Sequence, residues 1–121
     1  MLTKFYALLT DAYAMDAPIY VFHERGLAEE ALSIHNGGSA SIISFTAADL
    51  LTGAAHGLVY LAMSMEDTGI RIHAAFRNMF RLHSYMLDHV QESVCVQAIG
   101  WLEPVIKNGK VLETFDIGHA A

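Results

Sequence analysis

Apolar residues recur along this chain at two periods, and which of the two governs residues 46–76 decides the fold. At about 100° per residue, Ala47, Leu50, Leu51, Ala54, Leu58, Leu61, Ala62 and Met65 gather on one side of a helix. Asp49, Thr52, His56, Tyr60 and Asp67 fall opposite. Thr46-Ala47-Ala48-Asp49 has the form of a capping box, with Phe45 and Leu50 as the accompanying hydrophobic staple. The spacing therefore predicts a helix from Ala47 to about Glu66. Gly53 and Gly57 each cost about 1 kcal/mol inside it, which points to close approach by another backbone.

The alternative is that residues 58-76 form a hairpin in an antiparallel sheet. Val59, Leu61, Met63 and Met65 alternate with their neighbours, Glu66-Asp67-Thr68-Gly69 is turn chemistry, and Ile70, Ile72, Ala74 and Phe76 alternate again. The helix-forming Ala62, Met63, Met65 and Glu66 favour the continuous helix.

Elsewhere the pattern predicts an amphipathic helix over 2–15, a short strand at Ile19 to Phe22, and a second helix from Leu27 to His35 that stops at Asn36-Gly37-Gly38. Residues 39–44 read as a loop or a brief strand. Phe76 to Val94 carries a broad apolar face at helical spacing. Val96 to Leu102 is strand-like, Pro104 interrupts, and Asn108-Gly109 marks a hairpin whose return strand runs over 111–117. The fold class expected is α+β: a helix-rich single domain spanning residues 1-121, with two long amphipathic helices and a C-terminal β-hairpin. No repeat, low-complexity tract or linker is visible.

Composition changes this picture in one respect. An apolar fraction of 54 % and a mean hydropathy of +0.34 are high for a domain of 121 residues, so part of the apolar surface is expected to meet a partner or a second copy. The uncharged run from Leu50 to Met65 is too short and too polar for a membrane span, and the start of the chain lacks the pattern of a secretory signal. Cys95 is the single cysteine, which leaves no internal disulfide and fits a reducing, cytoplasmic setting.

The net charge of −6 is concentrated in residues 1–67, where the acids face only Lys4 and Arg25. Direct nucleic-acid binding is thereby disfavoured, because phosphate contacts need a basic footprint. An acidic face built from Asp11, Asp16, Glu24, Glu29 and Glu30 suits a protein partner with a basic surface.

Seven histidines invite a metal reading, yet no pair stands four apart and no paired cysteines exist. No metal site is expected. His83 sits in the middle of the predicted Phe76 to Val94 apolar face, where it would be buried and hydrogen-bonded. His56 has Thr52 and Tyr60 a turn away on either side. Arg77 and Arg81 are one turn apart, with His73 at their edge and Arg71 close by, a set that could grip a carboxylate or phosphate. Neither a serine-nucleophile turn nor a phosphate-cradling glycine loop is present, so no catalytic residue and no cofactor are expected.

These features lead to a non-enzymatic acidic regulator, inhibitor or adaptor that occludes a partner surface and pairs with itself. The alternative is a small-ligand enzyme or sensor, with a pocket between the helices lined by His56, Tyr60, Arg77 and Arg81.

Overall fold

A computed structural model describes residues 2–14, 16–35, 38–48, 50, 57–89 and 96–113. Its first element shows why the helical reading fails. In Thr3–Leu9 (β1), Phe5, Ala7 and Leu9 enter one apolar cluster while Leu8 and Tyr6 enter another on the opposite face. A strand buried on both faces is a continuous apolar run, and such a run satisfies helical and alternating periods alike.

The chain continues through β2 (Ile19–Phe22), α1 (Arg25–Ile34), β3 (Ser41–Ala47), β4 (Gly57–Glu66), β5 (Gly69–Phe76), α2 (Met79–Asp88) and β6 (Val96–Leu102). It closes with β7 (Val105–Lys107) and β8 (Lys110–Leu112). Of the described residues 51 % are strand and 21 % helix, which overturns the helix-rich α+β expectation with two long helices. The hairpin alternative is what residues 58-76 adopt: β4 and β5 pair antiparallel around Asp67-Thr68. Thr46 lies in β3 and caps no helix. The cap of α2 is Asn78, whose Oδ1 accepts from the N–H groups of Phe80 and Arg81. The expected C-terminal hairpin is present as β7 and β8, with Asn108 and Gly109 both at positive φ as a tight primed turn requires. Among the described residues no helix is long and apolar enough to cross a membrane.

Six strands form one sheet in the order β3-β1-β2-β6-β4-β5, curled into a nearly closed barrel with its edge strands β3 and β5 side by side. Phe5, Leu61, Met63, Leu102 and their neighbours fill the interior, and the rings of Phe5 and Phe45 stack across β1 and β3 at 5.7 Å.

The barrel is a structural duplication. One unit, β1-β2-α1-β3, is followed by a second, β4-β5-α2-β6, of the same topology. Thr3 and Gly57, Leu9 and Met63, Phe22 and Phe76, and Arg25 and Met79 are separated by one constant interval, and both helices have 10 residues. The pairings repeat as well. Thr3 faces Ala47 and Leu9 faces Ser41 in the first unit; Gly57 faces Leu102 and Met63 faces Val96 in the second.

Outside the barrel, α1 and the β7-β8 hairpin cover Leu8, Tyr20 and Phe22. The Tyr20 hydroxyl donates to Glu113 Oε2 at 2.9 Å. Burial, and then the Glu113 carboxylate, push its pKa up to about 12. The neutral phenol is the form that the fold favours, so this contribution is intact below pH 10 and is lost as pH rises from about 10 to 12. We expect a loss of about 1–2 kcal/mol across that window, below the full linkage value because Glu113 is exposed and screened. Urea midpoints against pH should fall more steeply for the parent than for Tyr20→Phe; parallel profiles would refute the assignment.

Candidate functional site

Duplication creates two places where the units meet, and their difference locates the site. At the first, β2 and β6 run parallel with Tyr20 opposite Trp101 and Val21 opposite Leu102. The Glu103 N–H extends that ladder to the Val21 carbonyl at 2.7 Å. The Glu103 carboxylate, almost fully buried, accepts from the His23 backbone N–H at 2.7 Å and lies 2.6 Å from His23 Nδ1. Gly100 permits this closeness, since a Cβ there would stand 3.1 Å from the Ile19 carbonyl oxygen.

At the second junction, β3 lies beside β5 without pairing to it. Phe45 occupies the position that Gly100 holds in the other unit, so a full side chain stands where the first junction has none. The clamp differs too. Arg77, the counterpart of His23, donates from Nε to the Leu58 carbonyl at 3.1 Å and from Nη1 to the Leu50 carbonyl at 3.0 Å. Gly57 makes room for it, as a Cβ would sit 3.3 Å from Nη2.

The open seam holds a cavity of about 620 Å³ between Ile43–Thr46 on one side and Ile70–His73 on the other, with Glu66, Thr68 and Tyr85 at its margins. One of its polar groups, His73, comes from a β-bulge. Ala62 faces Ala74 but Met63 faces Ile72, so His73 is an extra residue without a counterpart in β2, re-aimed toward Ser64. The Ser64 hydroxyl donates to Glu66 Oε2 at 3.2 Å and stands 2.7 Å from His73 Nε2. Glu66 Oε2 is also 3.8 Å from Arg71 Nη1 and 3.9 Å from His73 Nε2. In the first unit, the positions of Ser64 and Glu66 hold Thr10 and Ala12. The barrel therefore does not require this charged cluster.

The cluster does not have the layout of an acyl-transfer triad. A triad carboxylate orients the imidazole from the nitrogen remote from the serine, whereas Glu66 lies on the side of the same nitrogen and accepts a hydrogen bond from the serine hydroxyl.

Three of the four residues expected from sequence to form a site are among the described residues. His56 lies outside the described residues. Tyr60 is half-buried on β4, opposite Phe76. Arg77 clamps backbone carbonyls, and the Arg81 guanidinium lies 5.5 Å from the centre of the Phe76 ring. Among the described residues α1 packs on β1, β2, β3 and β8 and α2 on β4 and β5, and none of the described cavities is lined by both helices. His83 is exposed, 3.0 Å from Gln97 Oε1, because its side of α2 faces solvent rather than a core. Among the acids, Glu29 pairs with Arg25 at 3.1 Å, Glu24 lies 3.9 Å from His23, and Asp11 accepts from the Tyr13 N–H. Asp16 and Glu30 are exposed. None of the five lines the seam. Among the described residues no three His, Cys, Asp or Glu side chains could hold a metal ion.

Comparison with protein-family models, curated proteins and solved structures finds no match to this chain.

Proposed function

We propose that this chain is a non-enzymatic protein-binding module that takes an extended segment of a partner into the seam between β3 and β5 and acts by occluding it. The observation that carries the reading is a pair of unpaired sheet edges facing each other across a polar groove. Edge strands are normally blunted by charge or proline, yet β3 reads Ser-Ile-Ile-Ser-Phe-Thr-Ala and has neither. A strand added to the open stretch of either edge would gain main-chain hydrogen bonds from that edge, and the Glu66, Arg71 and His73 groups of the groove would read its side chains. Since β3 and β5 run parallel, a segment antiparallel to both makes the better ladder. Asp11, Asp16, Glu24, Glu29 and Glu30 lie outside the groove, so their part is to steer a basic partner during encounter. The single Cys95 supports a cytoplasmic setting.

A photo-reactive residue replacing Ser44 in the full chain would identify the captured segment, which is then synthesised as a peptide. Binding should slow amide exchange in β3 and β5, and Ser44→Lys with Thr46→Lys should weaken it about tenfold. Reversing the five acids should slow association while leaving dissociation unchanged. Protection confined to the helices, or a segment bound as a helix, would refute strand capture.

A second reading rests on Arg71 and His73 in the same groove: a small anionic ligand held without strand addition. It predicts that Arg71→Ala with His73→Ala abolishes binding, with no change of exchange along β3.

A further inference from the structure

The outward side of α2 is apolar where a solvated helix should be polar. Phe80 is 82 % and Leu87 76 % exposed, and Met79 and His83 share their arc at about 100° per residue. Gln97, bonded to His83, joins this stripe to the start of β6. Among the described residues no strand flanks that part of β6 on one side, because β2 begins only at Ile19, and Ile99 there is 52 % exposed. Hollows of about 440 and 470 Å³ on either side of Gln97 keep the surface concave. Met79, Phe80, Leu87 and Ile99 together expose on the order of 450 Å² of side chain, more than half of the ~800 Å² per partner of a standard interface.

We infer that this surface is covered by a second copy of the chain, in a two-fold dimer whose α2 helices pack antiparallel. The order of residues on α2 selects that occupant. With the two-fold axis between His83 and Ser84, Phe80 of one copy meets Leu87 of the other, and Arg81, on the flank of the stripe, comes within two residues' rise, about 3 Å along the helix, of the level of Asp88. Apolar groups face apolar groups and a cation lies near an anion, both twice over. A parallel pairing would place Arg81 on Arg81 and Asp88 on Asp88, which is repulsive. The surface lies apart from the β3–β5 seam, so the dimer presents two seams at once.

The test is sedimentation equilibrium of the full chain over a dilution series, with circular dichroism to confirm folding. A dimer of the 13.3 kDa chain is expected, and Phe80→Glu should raise its dissociation constant about thirtyfold. Arg81→Asp and Asp88→Arg should each weaken it about tenfold, and the two together should restore most of the loss. A monomer at every concentration overturns the inference. So does a dimer indifferent to Phe80→Glu, or one in which the double charge reversal is additive.

Discussion

Glu103→Ala should destabilise the protein by about 3 kcal/mol, lowering its melting temperature by roughly 10 °C. The carboxylate accepts two hydrogen bonds from His23, one from the backbone and one at the ring, in a position almost closed to solvent. Charge-assisted bonds of this kind are stronger than neutral ones, and their removal leaves the His23 N–H without its acceptor. Glu103 also holds φ at 52°, so part of the loss separates cleanly. Glu103→Gly removes the same carboxylate but relieves the left-handed backbone, and it should be about 1 kcal/mol more stable than Glu103→Ala. Guanidinium unfolding of the three proteins measures both differences. An alanine variant within about 0.5 kcal/mol of the parent would mean that the β2–β6 junction does not depend on this residue.

Arg77→Ala is the second large effect, expected at about 2–3 kcal/mol. Its guanidinium ties together two carbonyls, those of Leu50 and Leu58, that flank the connection from β3 to β4. Arg77→Lys should recover less than half of the loss, since an ammonium cannot reproduce the fork that reaches both oxygens. The same variants decide between two roles for this side chain. A variant as stable as the parent that loses an anionic ligand would return Arg77 to the gripping role expected from sequence. Loss of stability by Arg77→Ala, with peptide capture retained after correction for the folded fraction, fits the clamp.

How much of this was legible depended on local chemistry. The Asn108-Gly109 turn, the strand at Ile19 to Phe22 and the helix expected at Leu27 to His35, found at Arg25–Ile34, were readable because turn residues bound each of them. β1 was not, because the barrel interior takes Phe5 while the outer layer takes Leu8, which erases the alternation; β4 was legible only as the alternative hairpin, because Ala62 is buried as fully as Leu61. Thr46-Ala47-Ala48-Asp49 carries a cap signature by composition alone, and tertiary pairing with Lys4 and Thr3 overrode it. Asn78, the working cap, was hidden inside an apolar face that merged the end of β5 with α2. The duplication leaves little trace: at the constant interval Tyr6 matches Tyr60, Phe22 matches Phe76 and His35 matches His89, while most other equivalent positions share only burial. Arg71 and His73 stood out beside Arg77 in the sequence, but nothing there showed that a bulge turns His73 onto Ser64.

The repeat of one three-strand, one-helix unit has a consequence for how the molecule can be taken apart. Each half, cut between Ala47 and Gly57, keeps its own hairpin, its own helix and the pairing of its last strand with its first. What a lone half lacks is a neighbour for its two outer strands, so separately expressed halves have reason to find one another and rebuild the barrel. Two copies of the second half alone would make a symmetric version of it, with a bulged histidine beside each opening.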